Sequence, residues 1–157
     1  MSDELKDVLA RYASGVAILT TRDETGQPHG MTVSSFCPVS LEPPLVLVCV
    51  AKSAKSFPVF SRTRDFAVSV LRDQHVEVAR RFATSGARKF AAGGFVRSEH
   101  GGVVLDGALA AVECRLERSH DAGDHLILVG AVVGHELLHD GVPVVYYDRG
   151  FSALRTI

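Results

Sequence analysis

The fold of this chain is decided by residues 126–138, which read LILVGAVVGHELL. Apolar side chains occupy both alternating faces of the segment, and Gly130 and Gly134 interrupt it. An apolar run of this kind is typical of a strand inside a sheet, and glycine within a strand indicates a bulge or sharp coiling. The segment therefore predicts one long, coiled strand near the centre of a sheet.

The end of this segment, His135-Glu136-Leu137-Leu138-His139, matches the H-E-x-x-H motif of zinc proteases. The motif binds zinc on a helix, where residues four positions apart share a face. On an extended strand such residues are separated by ~13 Å, which is too far for one tetrahedral ion. We therefore expect neither a metal site nor zinc hydrolysis, and we interpret the residues as an exposed strand end.

Further strands are predicted on both sides. Apolar and charged residues alternate over 112–117, which predicts a strand with one wet face. Asp140-Gly141 has the composition of a two-residue hairpin turn into residues 142–147. Toward the N terminus, β-branched and apolar segments predict strands over residues 16–21, 29–35, 45–50 and 66–71. The segment 45–50 is apolar on both faces and is therefore expected to be central.

Short helices are predicted in three places. Ser2 can cap a helix that ends by Gly15, Ser53 can cap a second over residues 53–60, and residues 74–83 suit a third. The first of these carries its apolar residues at helical spacing, at Leu5, Val8, Leu9 and Tyr12. The Gly- and Ala-rich segment 84–94 is expected to be a loop.

About seven strands with a few short helices and no regular βαβ alternation predict a mainly β fold, an antiparallel barrel with helical decoration. The 157 residues suffice for one domain with a sizeable core, and the sequence has no linker or internal repeat. We therefore expect a single domain over residues 1–157.

Composition excludes several classes of protein. Hydrophobic residues make up 46% and charged residues 22%, which excludes a disordered chain. A net charge of −1 without a basic block argues against nucleic acid as a partner. No apolar run approaches the ~20 residues that cross a bilayer, and the acidic start is unlike a signal peptide. Three cysteines at unrelated spacings indicate reduced, mostly buried thiols and a cytoplasmic location.

Nucleophilic and nucleotide motifs are missing from the sequence. No serine stands in G-x-S-x-G, no cysteine lies where a strand leads into a helix, and neither glycine-rich phosphate motif occurs. His120, Asp121, Asp124 and His125 form a group of possible metal ligands, although Asp121–Asp124 is also a turn composition. His125 stands at the entry to the apolar strand, where a ligand contact and a simple strand end are both open.

Three segments combine hydroxyl, ammonium and ring groups. They are Gly30–Phe36 with three hydroxyls, Ala51–Ser56 with two lysines, and Lys89-Phe90. Hydroxyls, lysines and the free N–H groups of a helix start suit a phosphate. Each segment also has a structural explanation, as a helix cap, a solvated lysine pair or a loop anchor. Three of the four lysines fall in these segments, which favours an anion and ring site.

Taken in order, these residues resemble a known family, the short-chain flavin reductases. The similarity runs from about Tyr12 to Leu154 and is carried by seven segments, at residues 13–21, 30–36, 39–45, 82–83, 89–90, 123–125 and 146–151. It is closest to reductases that serve two-component monooxygenases of aromatic polyketide and enediyne antibiotic pathways. The resemblance implies a split β-barrel homodimer that reduces FMN or FAD with NADH, rather than NADPH, and releases it to a partner monooxygenase.

The resemblance also implies the site residues. Flavin contacts are expected at Thr32, Val33, Ser34, Ser35, Ala51, Lys52, Ser53, Ser56, Phe57, Lys89 and Phe90. Contacts with NADH are expected at Gly123, Asp124, His125, Tyr147 and Arg149. Hydride passes between the two cofactors, so no catalytic side chain is expected. The alternatives are a non-catalytic flavin-binding protein and a split-barrel flavoprotein of the pyridoxamine-phosphate-oxidase type.

Overall fold

The computed structural model describes residues 2–86 and 88–157, and strands dominate this part of the chain. The strands are β1 (Ser14–Gly15), β2 (Ala17–Arg22), β3 (Pro28–Val33), β4 (Cys37–Leu41), β5 (Pro44–Ala51), β6 (Asp65–Val70), β7 (Phe95–Arg97), β8 (Val103–Leu105), β9 (Ala110–Ala122), β10 (His125–Leu137), β11 (Val144–Tyr147) and β12 (Gly150–Ala153). The helices are α1 (Asp3–Leu9), α2 (Phe57–Phe60) and α3 (Val76–Ala83), with a 3₁₀ turn at Asp73–His75 before α3. None of the described helices is long and apolar enough to span a membrane.

Seven strands form one antiparallel sheet in the order β3-β2-β6-β9-β10-β5-β4. β3 also contacts β5, so the sheet curls on itself around an apolar interior. Side chains from several strands and from α2 fill this interior, including Leu19, Val48, Phe60, Phe66 and Leu128. The mainly β split barrel predicted from the sequence is confirmed.

The long strand that was predicted from residues 126–138 is β10, and its glycines mark irregularities as expected. The pairing of β10 with β9 shifts register between Val129 and Gly130 and again between Val132 and Gly134. A Cβ on Gly130 would lie 2.5 Å from Phe66 Cζ, so the barrel wall closes here only because the side chain is missing.

A second apolar cluster lies outside the barrel, where α3, β8 and β11 pack against β2. Its buried members include Ile18, Phe82, Leu105 and Val144. β11 belongs to a small sheet of order β1-β11-β12, so the predicted hairpin at Asp140-Gly141 is wrong. Directly after β10, the chain is held by a hydrogen bond from the backbone N–H of Leu138 to the carbonyl of Leu109 and does not form a hairpin with β11.

Two of the predicted helices are shorter than expected. The helix capped by Ser2 ends at Leu9, and Gly15 lies in β1. The helix expected over residues 53–60 begins only at Phe57. Before it, the chain forms two successive turns, in which the backbone N–H of Ala54 donates to the carbonyl of Ala51 and that of Phe57 donates to the carbonyl of Ala54. Proline lacks an N–H and fits only the first turn of a helix, so Pro58 sets the start of α2.

The predicted wet face of β9 is wet only in part. Arg115 and Glu117 are exposed, whereas Glu113 is buried because the β7–β8 hairpin folds over it. The Glu113 carboxylate accepts hydrogen bonds from the Ser98 hydroxyl and, at 2.9 Å, from the backbone N–H of Gly102. A charged side chain can be buried when such donors surround it.

Candidate functional site

The segment expected to hold the flavin phosphate (residues 51–56, the phosphate segment) lies beside the turn expected to hold the nicotinamide (residues 123–125). β10 pairs with β5 so that His125 stands opposite Ala51. The backbone N–H of Lys52 donates to the carbonyl of Asp124 at 2.9 Å, and the Lys52 ammonium pairs with Asp121. The end of β5 and the β9–β10 turn therefore share one edge of the barrel.

The neighbouring aspartate fixes the imidazole of His125. His125 Nδ1 lies 2.8 Å from Asp124 Oδ1, and this hydrogen bond is the main cause that lowers the pKa of the Asp124 carboxyl. A carboxylate is an acceptor only, so Nδ1 carries the proton and Nε2 is left as the nitrogen available to a ligand. The His125 side chain is 43% exposed, which leaves it accessible.

The serines of the phosphate segment lie beside this edge. Ser53 is exposed in a turn, and Ser56 occupies the position before α2 without a side-chain capping bond. Phe57 packs against the barrel interior and anchors the segment. The hydroxyls of Ser53 and Ser56 have no hydrogen-bond partner among the described residues, and both are therefore available to an anion.

The loop after α3 lies close to both the phosphate segment and β3. Lys55 Nζ lies 3.7 Å from the position that a Cβ on Gly86 would take, and Lys89 Nζ donates to the carbonyl of Gly30 at 2.9 Å. Burial lowers the pKa of the Lys89 ammonium. The three segments singled out in the sequence thus come together in space.

The ring of Phe90 anchors this loop. Its centroid lies 5.0 Å from that of Phe82 and 5.0 Å from that of Phe95, within the outer apolar cluster. Phe90 therefore fixes the position of the neighbouring Lys89, and direct contact of its ring with a flavin stays a prediction.

At the end of β3, two of the three predicted hydroxyls are used by the protein itself. Thr32 Oγ1 donates to the carbonyl of Ala79 at 2.5 Å, and the Ser35 hydroxyl bonds the backbone of Cys49 at 2.9 and 3.0 Å. Val33 is buried in the barrel interior. Ser34 is exposed and has no hydroxyl partner in the described chain, so it is the hydroxyl left for a ligand.

A crevice of about 210 Å³ opens beside Ser34. It is lined by Val16, Thr32, Ser34, Ala83, Tyr146 and Phe151. The rings of Tyr146 and Phe151 lie 5.7 Å apart, and the guanidinium carbon of Arg80 lies 5.9 Å from the centre of the Phe151 ring. Apolar and aromatic walls with the hydroxyls of Ser34 and Tyr146 fit the edge of a planar ring.

Sequence reasoning missed Tyr146 and Phe151 as lining residues of the crevice. Tyr147 and Arg149, which lie close to them in the chain, were expected at the NADH site, and that stays a prediction. Tyr147 is 41% exposed, and Arg149 stands in the β11–β12 turn, where it donates to Asp7 Oδ1 at 2.7 Å. Period-two alternation on a hairpin is the signal that could have separated Tyr146 from Tyr147. The structure does not bring Tyr147 or Arg149 to the crevice.

Burial disfavours the reactive thiolate form of two of the three cysteines. Burial raises the pKa of Cys114 to about 12 and also raises that of Cys49. The expectation of mostly buried thiols is wrong for Cys37, which is exposed at the start of β4. Within residues 2–86 and 88–157, no group of three or more His, Cys, Asp or Glu side chains could hold a metal ion.

Comparison with known proteins shows which family has this fold and this arrangement of segments. Residues 9–155 match the sequence model of the flavin reductase like domain. The chain therefore belongs to the flavin reductase-like family, as predicted.

Particular relatives narrow the class. The chain is 54% identical over 150 residues to the actinorhodin polyketide dimerase of Streptomyces coelicolor, covering 96% of this chain and 85% of that protein. It is 40% identical over 154 residues to the reductase component of 4-hydroxyphenylacetate 3-monooxygenase of Thermus thermophilus, covering 98% and 97%. The solved NADH:FAD oxidoreductase SgcE6 of Streptomyces globisporus, in complex with NAD and FAD fragments, superposes with a TM-score of 0.90 at 32% identity, covering 98% and 92%. The predicted similarity to reductases of two-component monooxygenases is confirmed.

Proposed function

We propose that this chain is an NADH-dependent flavin reductase that reduces free FMN or FAD and releases it to a partner monooxygenase in antibiotic biosynthesis. The observation that carries the proposal is the shared edge described above, where His125 stands opposite Ala51 and Lys52 is bonded to Asp124. The names of the relatives support the same activity. One chain thereby brings the phosphate segment (residues 51–56) and the turn at residues 123–125 to one edge of the barrel.

On this proposal the flavin phosphate is bound by Ala51, Lys52, Ser53 and Ser56, with Phe57 as support. The ring lies along the end of β3, where Thr32 and Ser34 line the crevice. Lys89 supplies a positive charge next to β3, and Phe90 holds it there. Donors and positive charge at the ring edge favour the reduced, anionic form of a flavin.

The nicotinamide nucleotide is assigned to Gly123, Asp124 and His125. Bound together, the nicotinamide and flavin rings supply the hydride donor and the hydride acceptor. The protein holds the two rings at short distance and in a fixed orientation. Asp124 orients the imidazole of His125 through the hydrogen bond at Nδ1. No acid, base or nucleophile of the chain is required.

We also propose that two copies of the chain pair through the outer face of β5 and β10. Val46, Val48 and Val50 of β5 point into the barrel and are buried, whereas the alternate residues of β5 are only half-buried. The outward face of the two paired strands is apolar and consists of Leu45, Leu47, Cys49, Ile127, Val129 and Ala131. An apolar patch of this kind on a sheet marks an interface, and a second copy would bury it next to the flavin segments.

Sedimentation velocity tests the pairing. Leu47→Glu and Val129→Lys place charges in the proposed interface and are expected to give a monomer. Val96→Glu changes an exposed apolar residue on β7, outside the proposed interface, and should leave the dimer intact. A Leu47→Glu variant that still sediments as a dimer would exclude this face.

The remaining parts of the proposal concern the nicotinamide cofactor, the location in the cell and the domain organisation. We assign NADH rather than NADPH, a cytoplasmic location and a single domain over residues 1–157. Three free thiols fit a reducing compartment.

The activity is tested by following absorbance at 340 nm with NADH and added FMN or FAD. Turnover that requires free flavin and saturates with it is the expected result. Flavin binding without NADH oxidation would identify a non-catalytic flavin-binding protein. A flavin that stays bound and oxidises a phosphorylated amine would identify the pyridoxamine-phosphate-oxidase type.

A further inference from the structure

The described residues also form a cavity that is larger than the crevice at Ser34. It measures about 680 Å³ and lies at the end of the barrel where β2 ends and β6 begins. The turn between β7 and β8 forms one wall, and residues 113–115 of β9 form another. Its volume is within the range of pockets that bind small organic molecules.

The floor of this cavity is apolar. Phe66 and Cys114 belong to the barrel interior, and Val59, Val103 and Val133 surround them. Such a surface binds the carbon skeleton of a ligand by removing it from water. A ligand consisting only of charged groups would leave this floor without a partner.

The rim of the cavity is rich in guanidinium groups. Arg22, Arg62, Arg64 and Arg115 all line it. Arg22 donates to the carbonyl of Gly26, whereas the side chains of the other three make no hydrogen bond or ion pair with any described residue. A guanidinium has five N–H donors and no acceptor, so three arginines present a large unused capacity for an anion.

The carboxylates on the rim do not use this capacity. Asp23 accepts bonds from Thr25 and His29, and these bonds hold the pKa of its carboxyl far below the usual range. Glu113 accepts bonds from Ser98 and Gly102. Together with Asp65 and Glu24, these carboxylates balance the formal charge of the four arginines. An incoming anion must therefore gain binding free energy from direct hydrogen bonds as well as from the electrostatic field of the arginines.

We infer that this cavity is a second ligand site, separate from the flavin crevice, which binds a planar aromatic anion with its ring on Phe66 and Val133 and its acidic group at Arg64 and Arg115. The apolar floor selects the ring, and the guanidinium groups select a carboxylate or sulfonate. Bidentate hydrogen bonds from arginine to such a group are among the stronger ones in proteins.

Fluorescence titration with 1-anilinonaphthalene-8-sulfonate tests the inference on the full chain. Val133→Trp fills the cavity from a half-exposed position, and we expect it to raise the dissociation constant about tenfold or more. Arg115→Gln should raise it about fivefold by removing the paired donors. The matched controls are Val96→Trp on β7 and Arg118→Gln further along β9, which should change it less than about twofold.

Competition separates this site from the others that could bind the probe. We expect 2-naphthoate to displace the probe, and inorganic phosphate or FMN at equal concentration to leave it bound. Displacement by FMN, displacement by phosphate, or equal binding by parent and Val133→Trp would each overturn the inference. A circular dichroism melt of each variant confirms that it is folded, and Arg115→Gln gives an independent measurement if Val133→Trp is not.

Discussion

The ring crevice and the phosphate segment are two ends of one proposed site, and they are built differently. The crevice rests on strands and on α3, and its neighbouring hydroxyls are tied to backbone, with Thr32 bonded to Ala79 and Ser35 to Cys49. The phosphate segment consists of turns, with Lys52 and Ser53 exposed. The crevice is therefore rigid, whereas the phosphate segment can adjust its side chains.

This difference matters for a flavin that must leave after reduction. Hydride transfer requires fixed ring geometry, because small displacements of the reacting atoms are costly. Exposed charged groups contribute modest affinity, which salt screens further. A rigid ring end combined with a weak phosphate end suits a flavin that is bound as a substrate and released.

The largest effect is expected from Gly30→Ala in β3. A Cβ at Gly30 would lie 2.9 Å from Phe82 Cε2 and 3.2 Å from the carbonyl oxygen of Leu19. Overpacking of this kind costs about 1–3 kcal/mol of unfolding free energy, which urea denaturation measures. Gly15→Ala is the control, since nothing lies within 4 Å of its Cβ position. Equal stability of the two variants would show that the ring end is not rigid.

His125→Ala is expected to reduce kcat/KM for NADH about tenfold while changing the flavin dissociation constant little. The reason is that the variant removes the oriented imidazole and leaves the crevice and the phosphate segment intact. Stopped-flow reduction of flavin by NADH measures the rate, and fluorescence quenching measures flavin binding. His120→Ala, at an exposed position on β9, is the control. Unaltered NADH kinetics in His125→Ala would remove this residue from the site.

Lys89→Ala is expected to weaken flavin binding about fivefold, because it removes the half-buried positive charge next to β3. The ammonium is charged below its pKa, and burial lowers that pKa from the usual 10.5. The Lys89 contribution is thus present at neutral pH and is lost as pH rises, earlier than for an exposed lysine. Flavin titrations of parent and variant between pH 7 and about 10 should converge at the alkaline end. Lys6→Ala, on α1, is the control.

Lys52→Ala is expected to have the smallest effect, about a twofold loss of flavin affinity at low salt. Its side chain is 36% exposed, and its ion pair with Asp121 lies at the surface. Raising the ionic strength should abolish the difference from the parent protein. A salt-independent loss would contradict the description of this end as weak and adaptable.

Local sequence signals predicted the barrel and the segments that the fold brings together, because each signal is complete within a short segment. Gly130 and Gly134 marked the irregularities of β10, and the lysine and hydroxyl segments identified residues that the fold brings together. The β9–β10 turn at Gly123 was also read correctly from its composition.

Features that depend on distant parts of the chain were not predictable in this way. Glu113 is buried because a hairpin ten or more residues upstream covers it, and alternation within β9 carries no information about that hairpin. The hairpin expected at Asp140-Gly141 does not form, because β11 pairs with β1 and β12 instead. The choice between Tyr146 and Tyr147 likewise depends on which side of the small sheet faces β3.

The first helix and the last hairpin are joined by two hydrogen bonds. Asp7 accepts from Arg149, and the carbonyl of Ala10 accepts from the backbone N–H of Asp148, which connects α1 with the turn between β11 and β12. The strands on either side of that turn carry Tyr146 and Phe151. Removal of α1 would therefore take away both hydrogen bonds that tie down this turn, and with them part of the support of the aromatic wall of the crevice.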